Sequence, residues 1–264
     1  MNLDRVRAKY NASNAKGEGS SNKYYKQADN SMVRVRILPP ANSEEDLFYE
    51  ETQLHSIKSG GRFHYLRCRK ASDNETCPIC EAHYGLWKRI NDRKERGLDV
   101  DHLMKAAKAT WAKPRFFVNV LNRETNDVQV MSCSNQLFDR IMYGIFGDPE
   151  DEEIQRPLGD VTDLKEGYDF KVRKYAEGNK DICTFETSLF APEPSELGTA
   201  KEIEAIMGQL HDLKQEIGSS DYNTMSEIAK IYSATPDPEE GTTPGTDPQP
   251  SAKDFADRLK NLNS

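Results

Sequence analysis

A short run of cysteines limits most tightly what this chain can fold into. Cys68, Cys77 and Cys80 fall within thirteen residues, and Cys77-Pro78-Ile79-Cys80 sets two thiols two residues apart. That spacing lets one tight turn offer both sulfurs to a tetrahedral ion. His55 lies thirteen residues before Cys68, with Gly60-Gly61 midway, where a hairpin would bring the two flanking strands together. The candidate set is His55, Cys68, Cys77 and Cys80 around one structural Zn2+, with His64 and His83 as competitors close in sequence. A thioredoxin-like redox pair would open a helix behind a strand of a βαβ unit, an order not seen here. Unrelated buried thiols would not account for a histidine across a Gly-Gly turn. Cys133 and Cys183 read as small core residues. Five cysteines grouped in this way suit a metal site in a reducing compartment better than a disulfide framework.

Four ligands would close the coordination sphere, whereas a catalytic zinc keeps a position open. No HExxH, GxSxG or Walker loop occurs. The zinc deaminase signature needs His-x-Glu and Pro-Cys-x-x-Cys. Here the proline lies inside the pair, and His55-Ser56-Ile57 and His64-Tyr65-Leu66 both lack the glutamate. The expectation is a binding protein, not an enzyme. A zinc-dependent nuclease or deaminase, with Glu75 or Glu81 as base, is one alternative; a zinc-stapled protein-interaction module is another.

Taken alone, the net charge of −8 argues against a polyanionic partner, but its distribution reverses that impression. Residues 1–40 hold eight basic side chains against three acidic, and residues 62–123 hold fourteen against seven. Acid concentrates elsewhere, in Asp-Pro-Glu-Asp-Glu-Glu at 148–153 and mildly in the tail after 235. A basic body with separate acidic segments can bind a polyanion despite its overall sign. No run of eighteen apolar residues exists, so no membrane-spanning helix is expected, and the charged N-terminus lacks the apolar stretch of a secretory signal. The location expected is cytoplasmic.

The pattern predicts three regions. Residues 1–30 read as a basic arm, with Leu3, Val6 and Tyr10 on one face of a short helix. Residues 31–232 read as the folded core, containing a zinc subdomain over 55–90, and residues 233–264 as a flexible tail rich in Pro, Gly and Thr. Near its end Phe255, Leu259 and Leu262 have helical spacing. Strands are predicted at 33–38, 47–57, 116–121, 128–131, 168–175 and 182–189, with turns at Asn126-Asp127 and at 177–179. Helices are predicted over much of 79–109, over 137–146 behind Ser134, and behind capping boxes at Thr199–Glu202 and Thr224–Glu227. The fold class expected is α+β: an OB-fold β-barrel core with a zinc-binding subdomain and helical additions.

Strand 33–38 would turn Arg34 and Arg36 away from the core, and strand 168–175 would do the same with Lys171, Arg173 and Tyr175. Trp111, Lys113, Arg115 and Phe117 mix aromatics with cations. So do Tyr84, Trp87, Lys88 and Arg89, with Lys105 and Lys108 between the two groups. Cations along a groove track phosphates, and exposed rings stack on unpaired bases without regard to sequence. For Phe116, Val118 and Val120 core packing is the preferred reading.

With these residues assembled, the chain resembles the single-stranded DNA-binding (helix-destabilising) proteins of T-even-like bacteriophages. The resemblance rests on Val35-Arg-Ile-Leu-Pro39, on the His55 to Cys68 spacing followed by Cys-Pro-x-Cys, on Phe116-Phe117-Val118-Asn119, and on Glu166 to Val172, and it covers about residues 30–220. It implies an OB-fold core, one structural zinc, and sequence-independent coating of single-stranded DNA during phage DNA replication, recombination and repair. It also implies neighbouring copies bound through the N-terminal arm, and replication and recombination proteins recruited by an acidic tail. Here the region after 235 holds six acids against three bases, a weaker acidity than the resemblance implies.

Overall fold

The computed structural model describes residues 23–237 apart from 43, 60–61, 148–156, 177–182 and 218–219. The acidic run, the Gly60-Gly61 pair, the 177–179 turn, the helix expected near Leu3 and the tail beyond 237 lie outside the described residues. Strands and helices are mixed: β1 Ser31–Ile37, β2 Tyr49–Ser59, β3 Arg62–Arg67, α1 Arg69–Asp73, α2 Pro78–Glu95, α3 Asp101–Thr110, β4 Ala112–Asn122, β5 Val128–Cys133, α4 Asn135–Phe146, β6 Asp169–Ala176, β7 Cys183–Thr184, β8 Leu189–Phe190, α5 Ala200–Met207, α6 Leu213–Ile217 and α7 Tyr222–Ser233. The chain divides into two compact units. One takes residues up to Glu51 together with Phe116–Glu216; the other takes Thr52–Arg115 together with Ile217 onward.

The first unit is built around β1, which pairs antiparallel with β4 on one side and β6 on the other. β5 extends the sheet beyond β4, and β7 and β8 each pair with β6. All of these pairings are antiparallel, and none among the described residues joins β5 back to the β6 side, so the sheet is open. The β4–β5 hairpin turns at Asn126, whose φ of 59° is the left-handed conformation asparagine tolerates best. One sheet face buries Val35, Ile37, Val118, Val120, Phe170 and Val172 under Leu137, Phe138 and Ile141 of α4. Phe116 stacks on Phe138 with centroids 3.8 Å apart, in agreement with its reading as core. Cys133 is buried in the same cluster.

α4 starts where the sequence places it, because the Ser134 hydroxyl accepts from the Leu137 amide. Ser134→Ala should lower the stability of the first unit by about 1 kcal/mol, read as a shift of the urea midpoint. The Thr199–Glu202 capping box forms as expected in front of α5.

Three expectations need correction. Residues 182–189 do not form one strand: the described part holds only two-residue strands, and the Phe185 amide is taken by the side chain of Gln136. α7 is capped by Asp221, not Thr224; the Asp221 carboxylate accepts from both the amide and the hydroxyl of Thr224, which lies inside the helix. Residues 23–25 are not part of a separate arm, since Lys23 and Tyr25 exchange backbone hydrogen bonds with Val130.

The second unit pairs the β2–β3 hairpin with four helices, α1, α2, α3 and α7. Ser59↔Arg62 through Leu54↔Arg67 form the ladder, so β2 and β3 run antiparallel as anticipated from sequence. Ile57, Ile79 and Ala82 pack with Met225, Ile228 and Ala229 of α7, and Cys68 and Cys77 belong to that cluster. Leu86 and Ile90 of α2 pack against Leu103 and Ala107 of α3. No helix among the described residues is long and apolar enough to cross a membrane.

Candidate metal centre and nucleic-acid interface

The metal centre is assembled from four consecutive structural pieces of the second unit. His55 lies in β2. Cys68 follows β3, and its amide continues the ladder to the Gln53 carbonyl at 2.7 Å. Cys77 is the N-cap of α2, with Pro78 occupying the first helical position, where no amide is needed. Cys80 then falls in the first turn of α2, where unpaired backbone amides favour a thiolate.

The four ligand atoms all lie within 4.8 Å of one another. Cys68 Sγ and Cys80 Sγ are 3.4 Å apart; Cys77 Sγ lies 3.3 Å and Cys80 Sγ 3.7 Å from His55 Nε2. A zinc tetrahedron with its usual bond lengths has edges of about 3.8 Å between sulfurs and about 3.6 Å between sulfur and nitrogen. The donor set and its dimensions fit one zinc ion. His55 Nδ1 lies 2.8 Å from the Thr110 carbonyl, which can only accept, so Nδ1 carries a hydrogen and Nε2 is the nitrogen that faces the thiols. His64 is exposed and His83 faces Ala107 and Thr110, so neither competes for the site.

Proton sharing within the cluster shows what an ion would replace. Hydrogen bonds from Cys68 and then Cys80 push the Cys77 thiol strongly down; contacts with Cys68 and then Cys77 push Cys80 strongly up. Burial lowers the His55 pKa, but hydrogen bonds to Cys68 and Cys77 outweigh it and raise the value to about 9. Three thiols and an imidazole this close hold shared protons, which a divalent cation displaces.

The second unit also carries most of the exposed cations and rings. Trp111 caps the C-terminal end of α3 and is 57% exposed; Tyr84 on α2 is 56% exposed. Lys88, Lys105, Lys108 and Lys113 are exposed, Arg115 is half-buried, and none has an ion-pair partner among the described residues. Trp87 is half-buried against the α2–α3 core. Arg89 is committed elsewhere: it donates to the Thr235 carbonyl at 2.6 Å and to Asp237 at 2.7 Å, anchoring the chain beyond α7. Two residues of this face have a role there that the sequence did not assign. Lys70 lies 4.7 Å from the centre of the Tyr84 ring, and His83 touches Tyr84, Trp87 and Trp111. The spacing of His83, Tyr84 and Trp87 along one helix was the available signal for the latter.

In the first unit Arg34 is exposed on β1, and Lys171, Arg173 and Tyr175 share the corresponding side of β6, half-buried or exposed. Arg36 does not stand on that open face. It is 1% exposed, pairs with Asp169 at 3.3 Å, and donates to the Ser195 hydroxyl and carbonyl. Arg123 shares Asp169 at 3.0 Å and donates to the Leu197 carbonyl, so the two guanidiniums pin the chain segment that covers this end of the sheet. Phe117 is likewise only 9% exposed, leaving no open ring face for a base.

A family model described as gp32 DNA binding protein like matches residues 29–234 of the chain. No curated protein matches it.

Proposed function

This chain belongs to the gp32-like DNA-binding protein family, and on that premise we propose that it binds single-stranded DNA without sequence specificity. One observation carries the reading: the exposed Trp111 ring is bracketed by Lys108 and Lys113, neither of them neutralised by an acidic neighbour among the described residues. A ring with an open face takes a base of any identity, and unpaired cations release counterions when they meet phosphate. On this reading Tyr84, Trp87, Lys88, Lys105, Lys108, Trp111, Lys113 and Arg115 contact DNA from the second unit, and Arg34, Lys171, Arg173 and Tyr175 from the first. Arg36 and Phe117 support that surface from beneath, and Arg89 holds the α7 end.

One structural zinc is held by His55, Cys68, Cys77 and Cys80. Four protein donors leave no open position, which favours binding over a zinc-dependent nuclease or deaminase. An OB-type barrel, self-association through the N-terminal arm, recruitment of replication and recombination proteins by the tail, an intracellular location, and coating of DNA in phage replication, recombination and repair complete the reading. The antiparallel sheet around β1 and the family resemblance support it.

Gel-shift competition between oligothymidine and a duplex of equal length tests the proposal. The single strand should win by at least tenfold, and its affinity should fall steeply between 50 and 200 mM salt, as phosphate-binding proteins do. Equal affinity for the duplex, or a flat response to salt, would overturn it.

A further inference from the structure

Thr110 is fully buried, ends α3, and directly precedes the exposed Trp111. It makes two connections. Its carbonyl accepts from His55 Nδ1 at 2.8 Å, fixing which nitrogen faces the thiols. Its hydroxyl donates to the Ala107 carbonyl at 2.9 Å and lies 3.1 Å from His83 Nδ1. His83 Nδ1 also reaches the Ala107 carbonyl at 3.0 Å. That carbonyl has no hydrogen to give, so His83 Nδ1 is protonated and points its hydrogen between Ala107 O and Thr110 Oγ1. Burial lowers the His83 pKa, which keeps this imidazole neutral and in a single tautomer at neutral pH.

The ring fixed in this way is the hub of the aromatic face. Its centroid lies 5.8 Å from Tyr84, 6.3 Å from Trp87 and 5.9 Å from Trp111, in edge-on or tilted contacts. Such contacts limit the rotamers of rings that would otherwise lose freedom on stacking with a base. The orientation of a metal ligand and the orientation of the exposed tryptophan therefore both depend on one buried threonine and its histidine partner.

We propose that Thr110 and His83 are positioning residues that couple occupancy of the His55–Cys68–Cys77–Cys80 cluster to base binding at Trp111. The proposal rests on the reading that Trp111 receives unpaired bases. Coupling between two sites is reciprocal: whatever factor the metal contributes to DNA affinity, DNA must contribute to metal affinity.

Zinc affinity of the full chain, measured by competition with a chelator in the presence and absence of saturating oligothymidine, provides the test. In the unaltered protein oligothymidine should tighten zinc binding about 5- to 10-fold, within the range of ordinary allosteric coupling. Thr110→Val keeps the carbonyl and the side-chain shape but removes the hydroxyl; His83→Phe keeps a ring but removes the hydrogen bond. Both variants should still bind one zinc and still bind oligothymidine, with the tightening reduced below about twofold. Should Thr110→Val fail to fold, the half-buried His83 position carries the test alone. Undiminished tightening in the variants, or none in the unaltered protein, would overturn the coupling. Failure of the unaltered protein to bind oligothymidine at all would instead remove the DNA-binding reading on which it rests.

Discussion

Cys77→Ser is expected to strip the metal from the chain and destabilise the second unit. Structural zinc binds its sites with apparent free energies of about 10–16 kcal/mol at neutral pH, as large as the whole stability of a typical domain. Cys77 has two further roles that serine fills poorly. Its side chain belongs to the apolar cluster of Ile57, Ile79 and Met225, and its thiolate sits at the start of α2. Zinc content should fall from one per chain to below about a tenth, because a serine hydroxyl is a weak ligand beside three soft or borderline donors. The thermal transition of the second unit should shift downward by tens of degrees. Cys133→Ser gives the contrast. Cys133 is equally buried but lies in the first unit, in the core under α4. There the substitution should cost about 1–3 kcal/mol for burying a hydroxyl and leave the zinc content at one. Equal zinc loss in both variants would mean that the metal is not held where the four side chains converge.

Trp111→Ala should weaken oligothymidine binding by about 5- to 150-fold, the equivalent of 1–3 kcal/mol for one stacked base. Its zinc content and melting temperature should stay where they are, since more than half of the ring is already in water. The effect is expected to be large for a single side chain because His83 holds the ring ready and Lys108 and Lys113 flank it without acidic neighbours. Phe117→Ala supplies the opposite pattern. That ring is buried, so its loss should lower stability with little effect on affinity beyond the fraction unfolded. Fluorescence anisotropy of a labelled oligothymidine reads both variants. A change below about twofold for Trp111→Ala would take base stacking away from this residue.

The metal centre was legible in the sequence because ligand chemistry admits few residue types and tetrahedral geometry admits few spacings. The glycine pair between His55 and Cys68 supplied the remaining fact, that two strands double back. The core of the first unit was readable for a related reason: alternation along β1 and β6 sorts Val35 and Phe170 to one face whatever covers it. The same alternation misplaced Arg36. Its face is open near Arg34 but closed near Leu38, where Leu197 and Ile203 fold back over the sheet. Asp169 and Ser195, which hold the Arg36 guanidinium, lie far away in sequence, beyond the reach of any local period. Phe117 escaped detection in the same way. At α7 two acceptable caps stood three residues apart, and Asp221 prevailed because its carboxylate serves both the amide and the hydroxyl of Thr224. His83 was read only as a competing ligand; its contact with three rings appears only when α3 is laid against α2.

Metal analysis of the purified full chain, coupled to oligothymidine affinity before and after chelation, bears most directly on a zinc-organised surface for unpaired DNA. One zinc per chain is expected, with affinity lowered about 5- to 10-fold when a chelator removes it and regained when zinc returns. A chain that carries no zinc, or one that grips oligothymidine equally well with its metal removed, would contradict the account.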